Sequence, residues 1–209
     1  MNEWDRILHE EWYSQYEPDE IVINFASLLT KEKKMRVLDL GCGAGRHQVY
    51  MAKQGFEAHG IDFSETGLSL TRERLREQKL EVCLAKCDMK MLPYIRSCFD
   101  AVINLHTIYH QKVRGIQETI SEIHRILKGK GFLLMNFLSK RTYSYKKGTK
   151  VEKDTFVEQE GIEKGVLHHF TDKEEIERLF ENFEIIDLKL REKEVEGKLR
   201  SRWIVIARK

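Results

Sequence analysis

The chain has 209 residues, 41% of them hydrophobic and 33% charged, a length that suits one domain, since single cores grow to about 250 residues before splitting. No apolar run approaches the roughly 18 residues that cross a bilayer. The N-terminal "MNEWDRILHEEW" lacks the basic start and apolar stretch of a secretory signal, so a cytoplasmic protein without a membrane partner is expected. With 36 basic residues against 34 acidic ones the net charge is +2, too small a global field to name nucleic acid as the partner.

In chain order, apolar runs alternate with amphipathic stretches. "MRVLDL" (35–40) reads as a short strand running into Gly41, Gly43 and Gly45, and "RHQVYMAKQG" (46–55) has helical spacing and a terminal glycine. "FEAHGID" (56–62) is the next strand, and Ser64 is placed to cap the helix opening "SETGLSLTRERLREQK". "LEVCLAKCD" (80–88) and "FDAVINLH" (99–106) supply two more strands. In "GIQETISEIHRILKGKG", Ile116, Ile120, Ile123, Ile126 and Leu127 fall on one side of a helix that Gly129 and Gly131 are expected to end, before the strand "FLLMNFL" (132–138). This rhythm defines βαβ units, hence an α/β fold with a mostly parallel sheet flanked by helices. Residues 139–170, rich in lysine, tyrosine and glycine, show weak periodicity. "TDKEEIERLFENF" then reads as a helix capped by Thr171 or Asp172, and the remainder as two strands around "EGK", which so short a turn makes antiparallel.

Cys42, Cys83, Cys87 and Cys98 form no CxxC pair, and a chain of this size needs no disulfide staples, so they read as reduced thiols. A zinc site from Cys83, Cys87, Cys98 and a histidine is disfavoured, because 83–87 reads as a strand and its exit, where tetrahedral convergence is hard to arrange.

The crowded glycines mark a place where backbone N–H groups approach something closely. Ligands of open α/β sheets bind beyond the carboxyl ends of the strands, at such a first strand-to-helix turn. Asp62 ends the second strand about 20 residues on, where a carboxylate can accept from both hydroxyls of a ribose. Asp88 and Met89 end the third, placed to read an adenine amino group and to offer a backbone N–H. Each piece alone has a plainer explanation: glycines that serve helix–strand packing, an acid at a helix N-terminus, a turn aspartate. Their arrival at successive strand ends points to a nucleoside-containing ligand. The dinucleotide fingerprint GxGxxG is not met, since the third glycine comes one residue early and Arg46 stands where the last would be, and no GxxxxGK[ST] occurs.

On these motifs the sequence resembles the class I S-adenosylmethionine-dependent methyltransferases. "VLDLGCGAGRH" looks like their first motif, "GIDFS" their ribose-binding acidic motif, "CDM" their adenine-side motif, "FDAVINLHTIYH" their fourth motif, and "RILKGKGFLLM" their helix-to-fifth-strand segment. Residues 139–170 and "FTDKEEIERLFENFEI" resemble, less closely, small bacterial or archaeal enzymes of tellurite-resistance and thiopurine type. The resemblance implies a Rossmann-like, seven-stranded, mostly parallel sheet with an antiparallel C-terminal hairpin. It divides the single domain into an N-terminal helical cap (1–34), a cofactor-binding core (35–138), a substrate lid (139–170) and a helix with the hairpin (171–209). It also implies S-adenosylmethionine as cofactor and S-adenosylhomocysteine as product. Asp39 and the backbone of Gly41, Cys42, Gly43 and Gly45 would then hold the methionine part, with Arg46 near its carboxylate. Asp62 would take the ribose, Phe63 would pack on the adenine, Asp88 and Met89 would read its edge, and Leu105 would offer a carbonyl. Tyr13 and Tyr16 are candidates to close over the cofactor.

A sulfonium methyl is already an electrophile, so the transfer is expected as a direct in-line displacement, with a base needed only where the acceptor carries a proton. Candidate bases are His106, His110, His168 and His169, with Tyr109, Tyr143 and Tyr145 as candidate acceptor contacts. His106 and His110 have i,i+4 spacing, but "HTIYH" lacks the glutamate of HExxH and shows no third ligand, so no metal is expected. The fourth motif reads "NLHT" and not "NPPY", which favours a small-molecule acceptor for a monomer or homodimer. Two alternatives stand: an RNA methyltransferase using Lys140, Arg141, Lys146, Lys147 and Lys150, and a cofactor-binding module without catalysis.

Overall fold

The computed structural model describes residues 3–9 and 17–209; Tyr13 and Tyr16 lie outside them. In chain order the elements are α1 (Glu3–Ile7), α2 (Glu20–Lys31), β1 (Arg36–Leu40), α3 (Arg46–Lys53), β2 (Glu57–Asp62), α4 (Glu65–Glu77), β3 (Cys83–Lys86), β4 (Phe99–Asn104), α5 (Val113–Ile126), β5 (Leu127–Ser139), β6 (Thr149–Glu152), β7 (Thr155–Val157), β8 (Leu167–Thr171), α6 (Lys173–Leu179), β9 (Glu184–Val195) and β10 (Lys198–Arg208). Seven strands stand in the order β3, β2, β1, β4, β5, β10, β9, and β10 alone runs against its neighbours. No helix among the described residues is long and apolar enough to cross a membrane.

Both faces of the central strands β1, β4 and β5 are covered, which is why they read as near-continuous apolar runs. Alternation still sorts them. Val37, Ala101, Ile103 and Leu134 pack with Val22, Phe25 and Leu29 of α2 and Met51 of α3. Leu38, Val102, Leu133, Met135 and Phe137 pack with Ile116, Ile120, Ile123 and Ile126 of α5 and Ile176 of α6. Ser64 caps α4 by accepting from the Gly67 N–H at 3.1 Å, and Asp172, rather than Thr171, caps α6 by accepting from the Glu175 N–H at 2.9 Å.

The structure departs from the sequence reading in two places. Gly129 and Gly131 do not end α5; the helix stops at Ile126, and the glycines sit in a bulge of β5, where Leu127 pairs with Phe99 but Phe132 already pairs with Ala101. Residues 139–170 are not devoid of regular structure either. β6 and β7 form a hairpin across Lys153 and Asp154, β7 pairs with β8, and β8 returns to lie parallel to Leu138 and Ser139 of β5. Three further strands thus join the expected seven. They escaped the periodicity because they are three to five residues long and depend on tertiary pairing.

β8 also separates the two adjacent histidines, because neighbouring strand residues point to opposite faces. His168 faces the cavity described below. His169 is clamped between Thr155 Oγ1 at 2.8 Å and Glu175 Oε1 at 3.1 Å, on the side of α6. The substitution His169→Leu should remove the partner that Glu175 and the Thr155 hydroxyl share, leaving the hydroxyl only its longer contacts to Glu152 and Lys153, and cost about 1 to 3 kcal/mol. The expected outcome is a lower urea midpoint with an unchanged slope; an unaltered midpoint would mean that His169 is not part of the framework.

Candidate functional site

A cavity of about 1230 Å³ opens at the carboxyl ends of β1 to β4. Its floor is the glycine turn, where Gly41, Gly43 and Gly45 all have positive φ, at 82°, 52° and 81°. The three answer to different demands. A Cβ on Gly41 would overlap the side chain of Thr107, and one on Gly45 would stand 2.6 Å from Thr71 Oγ1. A Cβ on Gly43 would meet only Leu8 Cδ2 at 3.9 Å. Gly41 and Gly45 therefore serve packing, whereas Gly43 keeps space open.

Asp62 ends β2 with both oxygens engaged: Oδ2 accepts the Gly43 N–H at 2.7 Å and Oδ1 the Ser64 N–H at 2.8 Å. Burial pushes its carboxyl up and these amides pull it back. The Phe63 N–H also donates to this carboxylate, which still leaves it acceptor capacity for a ligand. Asp39, one residue before the cavity wall, is buried, and its Oδ2 has no hydrogen-bond partner among the described residues. Burial, and after it the charge of Asp62, pushes its carboxyl up to about 7, with Arg46 acting against the rise. Asp88 accepts the Lys90 N–H at 3.0 Å and pairs with Lys90 Nζ at 3.2 Å. Asp88, Met89, Phe63, Cys42, Arg46 and Leu105 all line the cavity. The Phe63 ring stands half-exposed at its edge, and burial raises the Cys42 thiol well above its ordinary range, which agrees with a space-filling role.

The opposite wall carries His106, Tyr109, His110 and His168. His106 holds a left-handed φ of 62°, its N–H donating to Asn136 Oδ1 at 2.8 Å, while its Nε2 lies 3.7 Å from Asp19 Oδ2. This imidazole holds the Asp19 carboxyl well below the usual range, against the burial that would raise it. His110 turns the other way, Nδ1 lying 3.0 Å from the Leu167 carbonyl and the ring packing on Trp4 and Tyr109. Despite their i,i+4 spacing, His106 and His110 thus face different partners. Of the remaining candidates, Tyr143 lines the cavity. Tyr145 does not; it donates to Asp154 Oδ1 at 2.7 Å and packs on Phe156 and Phe170. His169 is likewise outside the wall. The basic stretch is partly neutralised from a distance, since Lys140 pairs with Asp154 and Asp172, and Arg141 with Glu192. Lys147 reaches the cavity, joined there by Lys193, Lys198, Arg200 and Arg202 of the hairpin.

Sequence reasoning passed over Asp19, His47, Thr107 and Glu163, all of which line the cavity, and Asn136, which fixes His106. Asp19 had a visible signal as the N-cap of α2, accepting from the Ile21 N–H at 3.2 Å. Nothing local marked the others.

Comparison with known proteins agrees with this architecture. The family described as "Methyltransferase domain" matches residues 31–184, which is 154 of the 209 residues. The YqeM protein of Bacillus subtilis is 32% identical over 130 residues, 61% of this chain and 51% of that protein; the chain spans about half the length of the first curated relatives it matches. A solved SAM-dependent methyltransferase of Methanosarcina mazei superposes with a TM-score of 0.77 at 21% identity, covering 92% of this chain and 98% of the other. TehB of Haemophilus influenzae superposes at 0.71 with 16% identity, covering 98% and 67%. At these identities the structures speak to the fold alone.

The buried Asp39 gives the site a testable pH signature. Its carboxyl titrates near 3.8 in the unfolded chain and near 7 in the fold, so the folded state binds the extra proton between those values. Its contribution to stability is complete below the unfolded value and is lost as pH rises through the folded one. His47 and His110, both pushed down to about 3 by burial, act oppositely, weakening the fold as pH drops below the ordinary histidine range. They cancel when Asp39→Asn is compared with the parent. The melting temperature of Asp39→Asn relative to the parent should therefore climb between pH 4 and pH 8, and a flat difference would show that Asp39 ionises equally well in both states.

Proposed function

The chain belongs to the methyltransferase-domain family, and from that premise we propose that it binds S-adenosylmethionine at the glycine turn and transfers the methyl group to a small-molecule acceptor. The observation that carries this reading is the buried Asp39 Oδ2, unpartnered among the described residues, beneath a turn that keeps space open at Gly43, with Asp62 and Asp88 at the next two strand ends of the same cavity. An orphaned carboxylate oxygen fits a cationic amino group, and the remaining acceptor capacity of Asp62 fits vicinal hydroxyls.

When bound, S-adenosylmethionine supplies a methyl group on a sulfonium, so the protein has to align a nucleophile with the C–S bond and exclude water. Asp39 would take the amino group, directly or through water, and Arg46 stands at the start of α3 beside the carboxylate position. Asp62 would accept from the ribose, the half-exposed Phe63 ring would cover the adenine, Asp88 and Met89 would read its edge, and Leu105 would offer its carbonyl. His106, His110 and His168 line the acceptor side, within reach of a proton on an alcohol, phenol or nitrogen. Residues 139–170, with the β7–β8 turn, would close over the methyl group as a lid on a strand framework. The pairing of Lys140 and Arg141 with acids weakens the RNA reading and so favours a small acceptor.

Calorimetry should register S-adenosylmethionine binding and no NAD binding; the reverse pattern would overturn the assignment. Asp62→Ala removes two charge-assisted hydrogen bonds to the ribose, each worth about 1.5 to 3 kcal/mol, so affinity should fall at least about tenfold. A folded Asp62→Ala variant of unchanged affinity would place the ribose elsewhere. Gly43→Val, which fills the open side of the turn at a positive φ, should abolish binding while circular dichroism remains that of a folded protein.

A further inference from the structure

The β7–β8 turn brings Glu163 to His168, five residues on in the chain, and to His110, which is distant in sequence. One ligand atom from each of His110, Glu163 and His168 can be chosen so that all three lie within 4.8 Å of one another. His168 Nε2 stands 2.9 Å from Glu163 Oε2, yet that buried nitrogen makes no aligned hydrogen bond among the described residues. The contact brings donor atoms together without satisfying the N–H direction. His110 presents Nδ1 to the Leu167 carbonyl at 3.0 Å. An N–H on that nitrogen would make Nε2 the lone-pair atom, in the way that second-shell carbonyls set the tautomer of metal-bound histidines. The rings of His110 and His168 are 5.0 Å apart, and Trp4 and Tyr109 pack on His110, so both imidazoles are held in place.

We propose that His110, Glu163 and His168 form a divalent-cation site of the two-histidine, one-carboxylate type. Two imidazoles and a single carboxylate suit Zn²⁺ or a neighbouring first-row ion, and offer too few oxygens for Ca²⁺ or Mg²⁺. Tetrahedral coordination with bonds of about 2.0 to 2.2 Å puts donor atoms roughly 3.3 to 3.6 Å apart. The close pair must open slightly and the longer separations contract. Glu163 can supply that adjustment, because it lies in the turn between β7 and β8, with its side chain a third exposed. All three residues line the cavity, so the remaining coordination position opens into it and would receive an oxygen or nitrogen of the acceptor. That last use rests on the methyl-transfer reading; metal binding itself does not.

The test uses the tag-free full chain, stripped with a chelator and dialysed, with Zn²⁺ as the calorimetric probe and Co²⁺ as the spectroscopic one. One equivalent of Zn²⁺ should bind, and Co²⁺ should develop visible d–d bands of a nitrogen–oxygen site. Glu163→Gln and His168→Gln should each weaken Zn²⁺ at least tenfold and leave S-adenosylmethionine affinity within twofold. Glu163, on a partly exposed turn, provides the variant least prone to misfolding. Absence of Zn²⁺ and Co²⁺ uptake by the stripped chain, or equal Zn²⁺ affinity in the double variant, would overturn the site. A chain that takes up Zn²⁺ but ignores S-adenosylmethionine would uphold the metal site and remove the cofactor reading; the opposite result would do the converse.

Discussion

The clasp of Asp62 on two backbone amides is the constraint on which the site depends. Gly43 lies in the turn after β1 and Ser64 at the start of α4, so a single carboxylate at the end of β2 fixes the positions of both. The order continues outward: Ser64 caps α4 through the Gly67 N–H and donates its hydroxyl to Asp5 Oδ1 at 2.7 Å. Thr71 of α4 in turn donates to the Gly43 carbonyl at 2.8 Å. A buried carboxylate is costly unless it is hydrogen-bonded. Asp62 offsets that cost with backbone N–H groups that cannot move away, which preorganises the turn for a ligand.

The two ends of the cavity are made differently. The end that would hold the cofactor is built from strand termini, whose spacing the sheet dictates. The acceptor end is assembled from a turn, a hairpin and the short helix α1. Arg6 of α1 donates to the Ile162 carbonyl at 2.8 Å, Trp4 packs on His110, and Asp5 meets Ser64. One turn of helix therefore ties the glycine turn to the turn that carries Glu163. A shift in α1 would be felt at both ends, and the two halves of the site need not move independently.

Charge is also redistributed by the fold. The lysines and arginine of 140–150 look like a single patch in the sequence, but Lys140 and Arg141 are committed to acids from three other parts of the chain. Cationic side chains of the β9–β10 hairpin, Lys193, Lys198, Arg200 and Arg202, line the cavity together with Glu158, Glu160 and Glu163. Selectivity for an acceptor would then depend on a lining of mixed sign, and not on a uniformly positive lid.

The sequence by itself determined the seven main strands, their mostly parallel sense and the strand ends at which a cofactor would bind. Apolar runs, helical spacing and glycines are local signals, and in a doubly wound fold the strand ends are where local signals and ligand contacts coincide. Asp39, Gly43, Asp62 and Asp88 were legible for that reason. Strands β6 to β8 were not, because segments of three to five residues acquire their conformation from the neighbours they pair with. The equivalence of His168 and His169 was broken only when β8 sent one to the cavity and the other to Thr155 and Glu175. Asp19 beside His106, and His110 beside the Glu163–His168 turn, are pairings between parts of the chain that no spacing links. Tertiary structure alone decided them, since a contact between distant segments leaves no periodic trace in either one.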